Sequence, residues 1–227
     1  MLSPQEWDVL GLSLRVALAS VGLSLPPAIA MGWLLARREF PGKALFDALI
    51  HAPLVLPPVA VGYLLLVLFG RNGPVGGWLY DVFGITLIFT WEGAALASAV
   101  MAFPLMVRAI RLALEMVDRR IETAARTLGA GRIKVALTIT LPLALPGILA
   151  GMVLAFARSL GEFGATITFA ANIPGETRTL PIALYTLVQA PGGEAGAMRL
   201  MIISLILAVG ALVLSELIAR RLAARFG

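Results

Sequence analysis

The sequence predicts an all-α integral membrane protein, a polytopic bundle of kinked helices with five transmembrane spans. Three observations carry that prediction. Hydrophobic residues fill 59% of the 227 positions and charged residues only 14%, against roughly 25% charged in an ordinary soluble domain. The charges gather between long apolar runs instead of recurring along them. Five of those runs reach the ~20 residues that cross a hydrocarbon core ~30 Å thick.

The first run covers about 10–36. Glu6 and Asp8 precede it, where a secretory signal would carry basic residues, so it reads as a retained anchor. The second covers about 48–70, the third 91–112, the fourth 135–160 and the fifth 197–217. The apolar stretch 85–90 reads as an interfacial entry. The stretch 164–171 is too short to span alone and reads as a re-entrant turn or part of a sixth span. Prolines lie inside four of the five runs: Pro26 and Pro27, then Pro53, Pro57 and Pro58, then Pro104, then Pro142 and Pro146. Each removes a backbone donor and bends its helix. Proline is common in membrane helices, but eight across four spans describe a bundle of movable helices, the build of a transporter.

Basic residues set the sidedness. Thirteen of the eighteen lie on one side if the connection after the first run is cytoplasmic: Arg37, Arg38 and Lys43, then Arg108, Arg111, Arg119, Arg120, Arg126, Arg132 and Lys134, then Arg220, Arg221 and Arg225. The N-terminus is then periplasmic and the C-terminus cytoplasmic. This asymmetry accounts for the net charge of +5, so no nucleic-acid partner is implied. There is no cysteine, which excludes disulfide and zinc-thiolate chemistry. No metal-ligand cluster or catalytic triad can be assembled, and a membrane-embedded enzyme would need convergent acids or histidines that the spans lack. His51, the only histidine, reads as an interfacial residue near the inner end of the second span, as do Asp47 and Glu216 at other inner ends.

The longest basic connection, 108–134, contains a predicted helix from Asp118 to Leu128, stopped by Gly129 and Gly131. Ile121, Ala124, Ala125 and Leu128 recur at helical spacing and give it one apolar face. Periodicity alone leaves that face free to lie on lipid or to pack under its own bundle. The residues say more. Thr123-Ala124-Ala125, then Gly129, then Ile139 and Leu141-Pro142, resemble the EAA loop of ABC importer permeases, whose pattern is Glu-Ala-Ala, three residues, Gly, nine residues, Ile, one residue, Leu-Pro. Every spacing is met. The departure is Thr123 at the Glu position, with Glu122 one place earlier. In that family the loop is a coupling helix that docks on a separate ATPase. No G-x-x-x-x-G-K-[ST] phosphate loop is present in this chain. No cofactor is therefore expected here, and ATP and Mg belong to the partner.

A wider resemblance covers nearly the whole chain. The stretches from Phe40 (FPGKALFDALIHAPLVLPPVAVGYLLL), Ala99 (AVMAFPLMVRAIRLALE), Leu154 (LAFARSLGEFGATITFAANIPGETRTLP) and Tyr185 (YTLVQAPGGE) are similar to the molybdate permeases of bacterial inner membranes, and less closely to sulfate permeases. The resemblance implies one type I ABC permease domain over 1–227 with a coupling loop at about 113–134. It implies a homodimer embedded in the lipid bilayer, two ATP-binding-cassette ATPase subunits below and a periplasmic molybdate-binding protein above. Sulfate, thiosulfate or tungstate are the alternative substrates. For a small dianion the path needs donors and positive potential, not covalent catalysis. Arg158 and Glu162, four apart near the outer end of the fourth span, read either as an ion pair or as an outer gate. Thr166, Thr168 and Asn172 read either as neutral donors lining the same path or as packing polar groups.

Overall fold

The computed structural model describes residues 3–226, with side chains described up to Leu214 and at Leu217. Glu216, Arg220, Arg221 and Arg225, which enter the charge argument, lie outside the described side chains, and Gly227 outside the described residues.

Ser3 opens the first helix, α1 (Pro4–Arg37), with a capping box: its hydroxyl accepts from Glu6 N–H while Glu6 reaches back to the Ser3 amide. The other elements are α2 (Lys43–Val55), α3 (Pro58–Phe69), α4 (Pro74–Phe83), α5 (Trp91–Met116), α6 (Arg119–Thr127) and α7 (Arg132–Val135). A π-helical turn (Ala136–Thr140) joins α7 to α8 (Leu141–Leu160), followed by α9 (Gly164–Phe169), α10 (Leu180–Gln189) and α11 (Glu194–Phe226).

The centre is α1, α5 and α8 around Leu35, Met106, Ile110, Leu114 and Ile148. Small residues let the backbones approach, as is usual where lipid supplies no hydrophobic drive. A Cβ at Gly32 would lie 2.9 Å from Ile110 Cγ2, and one at Gly151 3.1 Å from Ala109 Cβ. Helices α1 and α5 run parallel. Arg15 stacks over Trp91 at one end, and Arg119, just after α5, reaches the Ala36 carbonyl at the other. Helix α8 runs against both, with Thr140 near the Arg37 end and Ser159 bonded to Ser20 towards the Arg15 end. Arg15 and Arg37 are about 33 Å apart along α1 at 1.5 Å per residue, close to one hydrocarbon thickness.

Among the described residues four helices are long and apolar enough to cross a membrane: Pro4–Arg37, Trp91–Met116, Arg132–Leu160 and Glu194–Leu214. The second expected span, 48–70, with Pro53, Pro57 and Pro58 inside it, is broken rather than only kinked. Helices α2 and α3 meet at a 113° bend, because Leu56 before Pro57 is extended (φ −69°, ψ 143°) and Pro57-Pro58 cannot continue the ladder. The bent α2–α3 pair lies between the parallel α1 and α5, and its two halves together are long and apolar enough for one broken span. The stretch 164–171 is not a sixth span. It holds the six-residue α9, which packs on α3 so closely that a Cβ at Gly62 would meet Ala165 O at 2.7 Å.

Candidate functional site

Two polar regions sit at opposite ends of the bundle. At the Arg37 end, α6 begins where Asp118 accepts from Arg120 N–H. It ends where Gly129 turns at φ +86°. Gly129 N–H then bonds to Arg126 O and Ala130 N–H to Ala125 O, a Schellman closure that favours glycine at that position. The apolar face anticipated from periodicity has no partner among the described residues: Ile121 is 47% exposed, Leu128 89%, and Ala124 is exposed, with Ala125 half-buried. Ile133 and Leu137 continue the exposed strip beyond the turn. Thr123 is also exposed and bonds only to Arg119 O of its own helix.

Glu122 points the other way. Its Oε1 accepts from Arg37 Nη2 at 2.9 Å and from Thr140 Oγ1 at 2.8 Å, and both charged side chains are nine-tenths buried or close to it. Three elements, α1, α6 and the π turn before α8, thus meet on one carboxylate. Ile139, Leu141 and Pro142 are half-buried where the chain re-enters the bundle. Pro142 explains the π turn. It lacks an N–H and its ring crowds the carbonyl four residues back, and the helix widens so that Leu141 N–H reaches Ala136 O. Arg37 and Thr140 were not expected as site residues. No local pattern marks them, since their partner lies 85 and 18 residues away. Beside them, Arg111 bridges Asp47 and Glu115 at 3.0 and 2.8 Å, and His51 Nδ1 contacts the Asp47 carbonyl. Lys43 bonds Glu39 and holds its carboxyl below the usual range.

Towards the Arg15 end, Arg158 Nη1 lies 2.6 Å from Glu162 Oε2. Glu162 is fully buried and its Oε1 caps the Ala165 amide at 2.8 Å. Thr166 donates to Phe163 O and Thr168 to Gly164 O, so each hydroxyl proton stays within its own turn. Asn172 belongs to a separate cluster, accepting from Arg178 Nε at 2.7 Å and donating to Thr186 at 3.0 Å. The structure therefore brings Arg158, Glu162 and Thr166 together, sets Thr168 on the α3 contact, and joins Asn172 to Arg178, which the sequence did not single out. Among the described residues no group of three His, Cys, Asp or Glu could hold a metal.

An exposed capped helix thus lies between two long apolar helices and is anchored from behind by an ion pair. Residues 28–226 match the model of the binding-protein-dependent transport system inner membrane component. The chain belongs to that family. It is 66% identical to the molybdenum transport system permease protein ModB of Escherichia coli K12, over 97% of this chain and 96% of that one. It is 56% identical to the ModB of Haemophilus influenzae, over 98% and 97%. The sulfate transport system permease CysW of Synechocystis is more distant, 36% identical over 94% of this chain and 77% of its own. In fold, the chain is similar to a solved bacterial alginate ABC transporter in complex with its pentasaccharide-bound periplasmic protein, with a TM-score of 0.75 over 96% of this chain and 80% of that one at 17% identity. This member of the inner membrane component family is thus a multi-pass transporter permease with the type I importer architecture.

Proposed function

We propose that this chain is the membrane-spanning subunit of an ATP-driven importer that moves molybdate across the bacterial inner membrane by alternating access. The observation that carries the reading is the exposed face of α6, capped at both ends and tied to α1 and α8, in a chain alike over nearly its full length to molybdenum permeases. The ATPase, with its ATP and Mg, is a separate polypeptide, and two copies of it serve a homodimer of this chain. A periplasmic molybdate-binding protein delivers the ion. The N-terminus is periplasmic, and α6 and the C-terminus are cytoplasmic, as the clustering of basic residues at the Arg37 end supports. Sulfate, thiosulfate and tungstate are tetrahedral dianions too. The higher identity to molybdenum than to sulfate permeases favours molybdate.

In this reading α6 sits in a cleft of the ATPase, and closing of the ATPase dimer moves it as a lever. Glu122, Arg37 and Thr140 pass that motion to α1 and α8. Arg158 and Glu162 lie by the outer gate, where the guanidinium offers positive potential to an arriving dianion. Gly129→Asp puts a side chain at φ +86°, a strain of about 1 kcal/mol or more, and adds a charge to the contact. Ala125→Trp adds bulk beside it. Both variants should insert normally, lose molybdate uptake in reconstituted vesicles, and lose stimulation of ATP hydrolysis by the loaded binding protein. Wild-type transport with coupled hydrolysis in both would remove α6 from the mechanism. Orientation has its own test: a reporter active only in the periplasm should work when fused within 172–179 and be silent within 119–127. The reverse pattern would place α6 where no ATPase can reach it.

A further inference from the structure

We propose that a cavity at the Arg37 end binds an oxyanionic group, the phosphate of an anionic phospholipid headgroup. The cavity, about 470 Å³, opens between α1, α6 and the root of α8. Five of its lining residues are arginines, Arg37, Arg38, Arg119, Arg126 and Arg132, against one acidic residue, Glu122. That carboxylate is already engaged, since Oε1 takes both Arg37 and Thr140. Arg119 reaches only a backbone carbonyl. Arg38, Arg126 and Arg132 have no ion-pair partner among the described residues.

Converging cations repel one another, and the repulsion grows as water is excluded. A bound anion removes it. A second observation points the same way. Arg37 is nine-tenths buried, and its Nε has no hydrogen-bond partner. Buried donors are almost always satisfied, so the guanidinium deepest in this region is left beside the cavity with an unmet donor. The volume falls in the range of small-molecule sites, roughly 300–1,000 Å³, and exceeds what a lone water or halide would fill.

The position selects the ligand. Trp33 lines the cavity one turn before Arg37, and tryptophan favours the headgroup level of a bilayer. The cavity lies about 33 Å along α1 from the Arg15–Trp91 contact at 1.5 Å per residue, so it sits at the phosphate level of one leaflet. Basic pockets between transmembrane helices at that level take phospholipid headgroups. A phosphate there touches both α1 and α6, and it stiffens the joint between the docking helix and the bundle. The free cargo dianion has similar chemistry and is the other possible source. The inference rests on the membrane-spanning reading but on neither the ATPase nor the cargo.

The test uses the purified full-length permease alone. Phosphatidylglycerol should be retained in native mass spectrometry and phosphatidylcholine should not. Arg38→Gln with Arg132→Gln should weaken phosphatidylglycerol binding about twenty-five-fold, taking about fivefold per basic contact. The thermal midpoint in phosphatidylcholine nanodiscs should not change. The exposed Arg126→Gln serves as a second variant should the first pair fold poorly, with about a fivefold effect. Sodium molybdate and inorganic phosphate are then offered to the lipid-free protein in detergent. Binding of either that is lost in the same variants, with no selective retention of phosphatidylglycerol, assigns the site to a free oxyanion and overturns the lipid source. Equal retention of phosphatidylglycerol by wild type and variants, with no oxyanion binding, overturns the site. Expulsion of the lipid on adding the ATPase subunit also overturns it, because acidic side chains of that partner would then be what the arginines receive. Failure of the wild-type permease, assembled with its ATPase and binding protein, to take up molybdate while it still retains phosphatidylglycerol selectively would count against the importer reading and leave the cavity's role intact.

Discussion

Glu122 and Glu162 are both buried carboxylates held by arginine, at opposite ends of the bundle, and they are held differently. Glu162 is satisfied within a few residues: Arg158 is one turn before it and the Ala165 amide three residues after. Any chain that makes the end of α8 and the start of α9 makes this arrangement. Glu122 is satisfied only by residues from α1 and from the π turn before α8. Its bonds exist when three elements are assembled and fail when any one shifts. The contrast separates a local staple, which shapes a corner, from a joint, through which one part of the molecule can move another.

The largest expected effect follows from breaking the joint. Glu122→Ala leaves Arg37 buried without a counter-ion, a loss of about 3–5 kcal/mol for a buried pair. The thermal midpoint of the permease should fall clearly, and copurification of the ATPase should fall with it. Replacing both partners, Arg37→Leu with Glu122→Leu, should restore most of the midpoint, because neither charge is then stranded. A midpoint that stays low in the double variant would show that the pair is not what Glu122→Ala removes.

A smaller effect is expected at the staple. Arg158 is 28% exposed but its partner Glu162 is buried, so Arg158→Gln, whose amide can still donate to that carboxylate, should lower stability by about 1–3 kcal/mol. Uptake is the sharper readout. If Arg158 supplies potential at the gate, uptake slows and stays slow when Glu162→Gln is added. Recovery in the double variant would reduce the pair to a staple alone. The smallest stability change belongs to Leu128→Ser. A residue 89% exposed should shift folding by no more than about 0.5 kcal/mol. The same change should weaken ATPase binding, measured by titrating the subunit onto permease in nanodiscs. An unchanged affinity would mean that the exposed strip of α6 is not a docking surface.

Much of this was legible in the residues. The apolar runs at 10–36, 91–112, 135–160 and 197–217 became long helices, because a span in lipid must satisfy its backbone within itself and sequence alone can specify that. The end of α6 at Gly129 was also legible, since a positive φ favours glycine. The run at 48–70 was legible as an apolar, proline-broken segment, but not in the size of its bend. Its composition is that of a span, but Pro57-Pro58 does more than kink it, and the degree of bend depends on α9 packing into Gly62 and on Pro58 meeting Gly164. Thr166 and Thr168 are polar residues in a suitable place whose hydroxyls turn back to their own helix. Only a neighbour's position could reveal that.

The sequence by itself determined that the chain lives in a bilayer, where its long apolar segments lie, which end gathers the arginines, and that one loop carries a capped amphipathic helix. These are properties of composition, period and turn chemistry, and each is complete within about 20 residues. The tertiary structure decided what faces what. It turned Glu122 away from the exposed strip and towards Arg37, joined α1 to α8 through one carboxylate, broke the second crossing, and gathered five arginines from three elements around one cavity. Those facts depend on side chains that lie far apart in the chain and meet because parallel α1 and α5 close on α8. No local preference encodes such a meeting, because its free energy appears only once the helices have packed.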